Sequence, residues 1–154
     1  MPQDEFELHK RIARECFNET WNYLEKEARS EEDDRIMLNL THASRYHWSL
    51  IGNAENLAVG DWQISRVYSA LKQPMLALQF AKSSLELCER SNLSSLIVSA
   101  YEGIARAYAV NNDTQSARIF IKKAREQLTM AKVDDEDRRI FLDQILETEK
   151  LMGE

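Results

Sequence analysis

Glycine and proline are scarce: 154 residues hold only four glycines and two prolines, against roughly seven and five per hundred in an average protein. A sandwich or barrel of many short strands needs Gly- and Pro-rich turns throughout, so an all-β fold is excluded. Cysteine is equally sparse. Cys16 and Cys88 are too few for a disulfide framework, and each falls on an apolar helical stripe, as a buried, reduced thiol would. No apolar run approaches the ~18 residues of a membrane span, so no membrane role is expected. The start, MPQDEFELHK, lacks the apolar stretch of a secretory leader, which points to the cytoplasm. There is no GxSxG, no glycine-rich phosphate loop and no recognisable Cys–His order, so neither a catalytic residue nor a cofactor is expected.

What is present is a balance of 44% apolar and 30% charged residues, which suits one packed domain over residues 1–154. The net charge of −6 is uneven. Residues 1–40 carry 11 acids and 6 bases, residues 41–130 carry 7 and 10, and residues 131–154 carry 8 and 4. Acidic ends around a mildly basic centre argue against a nucleic-acid partner, which needs a strongly basic face. The basic group Arg118, Lys122, Lys123 and Arg125 has no interleaved aromatics and reads as solvated surface.

Apolar periodicity predicts an all-α chain of seven helices. The first runs from about Asp4 to Ala28 on the stripe Phe6, Ile12, Cys16/Phe17, Trp21 and Leu24. Ser30 opens Ser-Glu-Glu-Asp, a capping box that starts the second near Glu31, and Gly52–Asn53 stops it after Ile51. The third covers Ala54 to Leu71, and Pro74 begins the fourth, which breaks at Ser91–Asn92. The fifth runs from about Ser94 to Val110. A polar turn, Asn111-Asn112-Asp113, leads into the sixth, and the acids at 134–137 begin a seventh that ends near Met152.

The helices repeat. Ile64-Ser65-x-x-Tyr68, Ala77 and Ser84 return as Ile104-Ala105-x-x-Tyr108, Ala117 and Ala124, every offset being 40 residues. A weaker copy lies 40 residues earlier, at Trp21-x-x-Leu24, Ala28, Met37, Thr41 and Ser44. The chain therefore reads as three antiparallel helical hairpins (about 4–51, 54–90 and 94–130) and a capping helix (about 134–152). Small residues (Ser65, Ala77, Ser84, Ala105, Ala117, Ala124) let helices approach, and Trp21, Tyr68, Tyr101 and Tyr108 fill the spaces between hairpins. One hairpin cannot bury its face alone, so the three must stack.

In this arrangement the chain resembles the tetratricopeptide repeat family, whose pattern is W-x2-L-G-x2-Y followed by A-x3-F. The two better copies read Asp61-x2-Ile64-Ser65-x2-Tyr68 with Ala77-x3-Ala81, and Tyr101-x2-Ile104-Ala105-x2-Tyr108 with Ala117-x3-Ile121. The period is longer than the family's usual 34 and the closing proline is missing. The stretches HASRYHW (42–48) and DWQISRVY (61–68) also resemble a bacterial group of such proteins, which implies no particular activity. The resemblance implies a right-handed superhelix whose concave face, lined by the first helix of each hairpin, holds a peptide or partner protein.

On that face the sequence offers specific candidates. Two positions after each packing apolar residue, about 200° around the helix, stand Lys26, Arg66 and Arg106, again 40 residues apart. Four residues before them lie Asn22, Trp62 and Glu102 on the same face. A column of cations with an exposed Trp62 beside Arg66 suits an acidic, partly apolar peptide. The asparagine–lysine clamp of the family is not matched at Trp62 and Glu102.

A second candidate is a small-molecule pocket or enzyme site around His42, Tyr46 and His47. The two histidines are five residues apart, whereas helical metal ligands want three or four, so no metal site is expected. Structural histidines bonded to Asn18, Asn56, Gln63 or Ser65 are the plainer alternative. A third is a homodimer, with a second copy covering the groove or the apolar face Phe141, Leu142, Ile145 and Leu146.

Overall fold

The computed structural model describes residues 1–153. They form seven helices: α1 (Gln3–Leu24), α2 (Glu31–Ile51), α3 (Ala54–Ala70), α4 (Pro74–Arg90), α5 (Leu96–Val110), α6 (Thr114–Met130) and α7 (Asp135–Leu151). No strand occurs among the described residues. The starts follow local chemistry. Ser30 Oγ accepts from the Asp33 amide while the Asp33 carboxylate accepts from the Ser30 amide, and Asn53 and Asn56 reciprocate in the same way at α3. Asp113 and Asp134 cap α6 and α7 through their side chains, and Pro74 occupies the first turn of α4. The tight turns after α3, α4 and α5 each pass through a left-handed residue, Lys72, Asn92 and Asn112, with φ of 59°, 55° and 61°. Lys72 and Asn112 are repeat equivalents. The pattern therefore imposes the backbone conformation even where lysine stands in place of the asparagine that suits it.

One helix end differs from expectation. α1 stops at Leu24, four residues before Ala28, because the chain must reach the extended conformation that Ser30 needs to cap α2 (φ −76°, ψ 168°). Arg29 secures this crossing by donating to Asp34 and to the Ala70 carbonyl.

The helices pair as the hairpins α1–α2, α3–α4 and α5–α6, and α2 and α4 pack on the next hairpin's first helix. α3 also approaches both α1 and α5, whereas α2, α4 and α6 keep apart from one another. The array therefore bends toward its odd-numbered helices, which line the inner face. The small residues sit at the crossings as expected: Ala77, Ala105, Ala117 and Ala124 are fully buried, and Ser65 and Ser84 nearly so. At these crossings the serine hydroxyls find backbone carbonyls, whereas Ser69 Oγ elsewhere on α3 is buried without a partner. Ser44 Oγ donates to the Ala13 carbonyl at 2.7 Å and Ser84 Oγ, its repeat equivalent, to the Ala58 carbonyl at 2.8 Å, each bolting one hairpin.

α7 packs against α5 and α6. Ile145 is fully buried, and Phe141 packs against the same cluster with Val98, Ala105, Ile121 and Leu128. Leu142 and Leu146, expected on the same apolar face, are turned outward at 36% and 42% exposure. The inward face is instead Phe141, Ile145 and Thr148, a spacing of four and three that includes a polar residue.

Close packing at the crossings makes a test. Ala77→Leu should lower unfolding stability by about 1–3 kcal/mol through overpacking, whereas Ile119→Ala on the exposed face should stay within about 0.5 kcal/mol of wild type. Urea denaturation followed by circular dichroism measures both.

Candidate functional site

The inner face is organised around buried charge. Glu102 on α5 is 1% exposed, and its carboxylate takes three donors. Trp62 Nε1 of α3 donates to Oε2 at 3.2 Å, while Arg106 Nε and Thr148 Oγ1 of α7 donate to Oε1 at 3.0 and 2.7 Å. Gly103 makes room for this. A Cβ there would stand 3.3 Å from Trp62 Cδ1 and 3.4 Å from Ala81 Cβ, so only a glycine lets α5 settle on the indole without adjustment. Arg106 then reaches outward to Glu147 of α7, and Arg66 Nη2 of α3 reaches the same oxygen, Oε2, at 2.6 Å against 3.4 Å for Arg106 Nη2. The Arg66 guanidinium lies over the Trp21 ring of α1 at 5.2 Å, and Trp21 stands 5.7 Å from Trp62.

Burial pushes the Glu147 carboxyl up. The hydrogen bond from Arg66 and the charges of Arg66 and Arg106 together outweigh this and hold it below the usual carboxylate range. Glu147 is thus ionised at neutral pH and bonded to two cations. The pair Arg66 and Arg106 holds two positive charges against one on Glu102, which leaves one to be matched by Glu147.

Set against the expected column, this arrangement keeps part and corrects part. Arg66 and Arg106 stand at equivalent phases and converge, as their 40-residue spacing requires. Lys26 does not join them: it lies past the end of α1 and pairs with Asp33 at 3.1 Å, with Tyr23 beneath its ammonium. Trp62 is not an exposed ring beside Arg66 but is 7% exposed, with Trp21 taking the place under the guanidinium. Glu102 is likewise a core group rather than a groove group, and Arg106, 8% exposed, is covered by α7 and reaches the face only through Glu147. Asn22 remains exposed on α1.

The reason is helix proximity. Repeat-equivalent residues on adjacent parallel helices lie side by side, so Trp62 and Glu102 bond to each other, and α7 closes over Arg106. Glu147 and Thr148 were missed because α7 belongs to no hairpin and shares no repeat phase. The spacing of Phe141, Ile145 and Thr148 was the available signal, and a threonine on an otherwise apolar stripe hides it.

Beside α7 the face stays open. A cleft of 260 Å³ runs between α1 and α7, lined by Trp21, Leu24, Arg66, Ile140, Asp143 and Glu147 among others. It meets an apolar cleft of 170 Å³ at Gln144, where Trp62 and Phe141 form walls.

The side chains of the histidine stretch divide between the neighbouring helices. His42 points toward α3 and α4, with Nε2 2.9 Å from the Tyr68 hydroxyl and its ring against Phe80. His47 points toward α1, where its Nδ1 lies 2.8 Å from His9 Nδ1. Tyr46 is 61% exposed. His42 and His47 therefore face different helices, while the Tyr46 ring keeps an edge contact with His47 at 5.5 Å. Gln63, expected as a partner, instead bonds Thr41 and the Phe17 carbonyl, Ser65 bonds the Ala77 carbonyl, and Asn56 caps α3. Arg45, from the same stretch, forms a buried ion pair with Asp61 at 2.8 Å, which Ser83 completes at 2.7 Å. Among the described residues, no three His, Cys, Asp or Glu side chains converge as metal ligands would.

No protein-family model, no curated protein and no solved structure matches the chain.

Two measurements check this geometry. Glu102→Ala leaves Trp62 Nε1 and Thr148 without their acceptor and Arg106 with only the long bond to Glu147, and should cost about 3–5 kcal/mol of stability, as for breaking a buried ion pair. A loss below about 1 kcal/mol in urea unfolding would contradict the network. Burial lowers the pKa of His42, against a weaker pull upward from Asp61, and burial and then the charge of His9 lower that of His47. Both folded values lie below the unfolded value of about 6.5. The unfolded chain therefore takes up protons first, and stability present above about pH 6.5 is lost as pH falls through it. Melting temperature should drop between about pH 7.5 and 5.5, and His47→Gln should make that slope shallower; parallel slopes would show that His47 does not carry it.

Proposed function

We propose that this protein is a non-enzymatic binding scaffold of the tetratricopeptide-like kind, holding an acidic segment of a partner protein on its inner face. One observation carries the reading. Two arginines at equivalent phases of successive repeats, Arg66 and Arg106, grip a single carboxylate that belongs to a helix outside the repeats. A surface of this kind recognises anionic side chains by charge-assisted bonds whose geometry the scaffold holds in advance. The adjoining cleft, with Trp21, Leu24 and Ile140, supplies apolar contact area, and Asn22 adds an exposed amide nearby. Glu102 and Trp62 act as the support that keeps Arg106 in place rather than as contacts.

The compartment that fits best is the cytoplasm. Cys88 is buried with its thiol pushed up to about 11, chiefly by burial, and Cys16 is also raised, so neither is a reactive thiolate. No helix of the described chain is long and apolar enough to cross a membrane.

The test is affinity capture from native lysate with wild type and Arg66→Glu as baits, each checked by circular dichroism. A partner bound by wild type should be lost with Arg66→Glu, and its retention should weaken as salt is raised from about 0.05 to 0.5 M. Identical capture by both baits would reject the arginine pair as the contact.

A further inference from the structure

The occupant of the arginine pair is itself informative. α7 is held on its inner side by few groups: of its 17 residues only Ile145 and Thr148 are buried. Ile140, Leu142, Leu146 and Leu151 stand 48%, 36%, 42% and 49% exposed. No Cα of α7 lies within 8 Å of one in α1 or α3, so Glu147 spans a gap to reach Arg66. Its other ties include the Thr148–Glu102 bond, a long bond from Ser99 to Gln144, an Arg125–Glu149 ion pair, partial packing of Phe141 and Met152, and bonds from Arg138 to the Leu128 and Ala131 carbonyls.

The site beneath would survive the departure of α7. Arg106 Nε stays bonded to Glu102 at 3.0 Å and Trp62 Nε1 to the other oxygen at 3.2 Å. Removing Glu147 and Thr148 therefore leaves no buried anion uncompensated. Counting Arg66, Arg106 and Glu102, it leaves one net positive charge, with Glu25 at the rim of the cleft, and one lone pair on Glu102 aimed at a hydroxyl.

We infer that α7 is a resident ligand, and that the site takes in its place a partner protein's amphipathic helix that repeats its order of groups. That order is an apolar residue, then a glutamate two positions on, then a threonine or serine, as in Ile145-Leu146-Glu147-Thr148. The apolar side chain fills the space of Ile145. The carboxylate matches the single unpaired positive charge, and the hydroxyl donates to Glu102. A single carboxylate balances the site, whereas a run of acids would overfill it. This inference rests on the scaffold reading above and names the partner's chemistry.

Exchange is governed by competition. A tethered helix acts at an effective concentration in the millimolar range, so weakening its hold by one group raises the apparent affinity of any free competitor. The probe is a fluorescein-labelled peptide with the sequence of residues 134–151, titrated by anisotropy with full-length wild type and full-length Glu147→Gln. The variant chain should bind it about tenfold more tightly than wild type. A peptide carrying the same Glu147→Gln change should lose about tenfold on both chains. Circular dichroism confirms that the variant chain keeps its helix content. Hydrogen exchange supplies a second readout, in which α7 amides of the wild-type chain should exchange well before those of α3 and α5.

Equal affinity of both chains, equal affinity of both peptides, no binding to either chain, or protection of α7 equal to that of α3 would each overturn the inference. A concentration-dependent dimer abolished by Glu147→Gln would assign the occupant to a second copy's α7 and overturn the partner helix. Partner capture that depends on Arg66 would stand even if the peptide failed, so the two readings fail separately.

Discussion

The carboxylate of Glu102 is the constraint on which the inner face depends. A buried glutamate is tolerable only if its charge and lone pairs are met, and here α3, α5 and α7 each send one donor to it. That requirement fixes the spacing of α3 and α5, since the Trp62 indole must lie against Gly103 to reach the acid. It also orients Arg106, whose Nη2 lies 2.9 Å from Glu102 and 3.4 Å from Glu147 and so stands between the two acids. The arginine pair exists as a site because a group with no contact to solvent holds half of it rigid.

The second buried ion pair is arranged differently. Asp61, 3% exposed, is met by Arg45 from α2 and Ser83 from α4. Arg45 threads past Gly60, where a Cβ would stand 2.7 Å from its Cδ. Asp61 and Glu102 thus make two polar cores in a molecule whose other crossings are apolar or bolted by serine hydroxyls. Such cores reward only the right register of one hairpin on the next, because a slip would strand a charge.

Much of this architecture was legible in the residues alone. Ala77 and Ala117, Ser84 and Ala124, and Tyr68 and Tyr108 carry the same phase 40 residues apart, and that phase is geometry, so it predicts which side of a helix faces a neighbour. What it does not predict is which neighbour. Trp62 and Glu102 lie on the face expected for them, yet that face meets another helix of the array and not solvent. Lys26 fails for a local reason: the cap at Ser30 ends the helix before the phase reaches it. His42 and His47 have polar partners, but those are Tyr68 and His9, residues whose nearness depends on the hairpin stack and has no trace in local spacing. Glu147 lay beyond the repeat and had no equivalent to betray it.

The last turns of α1, α3, α5 and α7 gather around one cleft of 160 Å³, whose walls include Leu24, Ala70, Val110 and Leu151 together with Arg66, Lys72 and Arg106. Four helices ending together present their unpaired carbonyls to the same space, and their aligned macrodipoles bring partial negative charge there. The cations at that rim, with Arg29 donating to the Ala70 carbonyl, offset it. At the opposite ends of the same helices the first turns hold Asp4 and Glu5, Glu55, and Asp135, Glu136 and Asp137, which offset the positive poles. The uneven charge along the sequence is thus, in space, a lengthwise compensation of the inner helices: acids open α1, α3 and α7, cations line the rim where the four helices end, and parallel helices that would otherwise repel one another lie together.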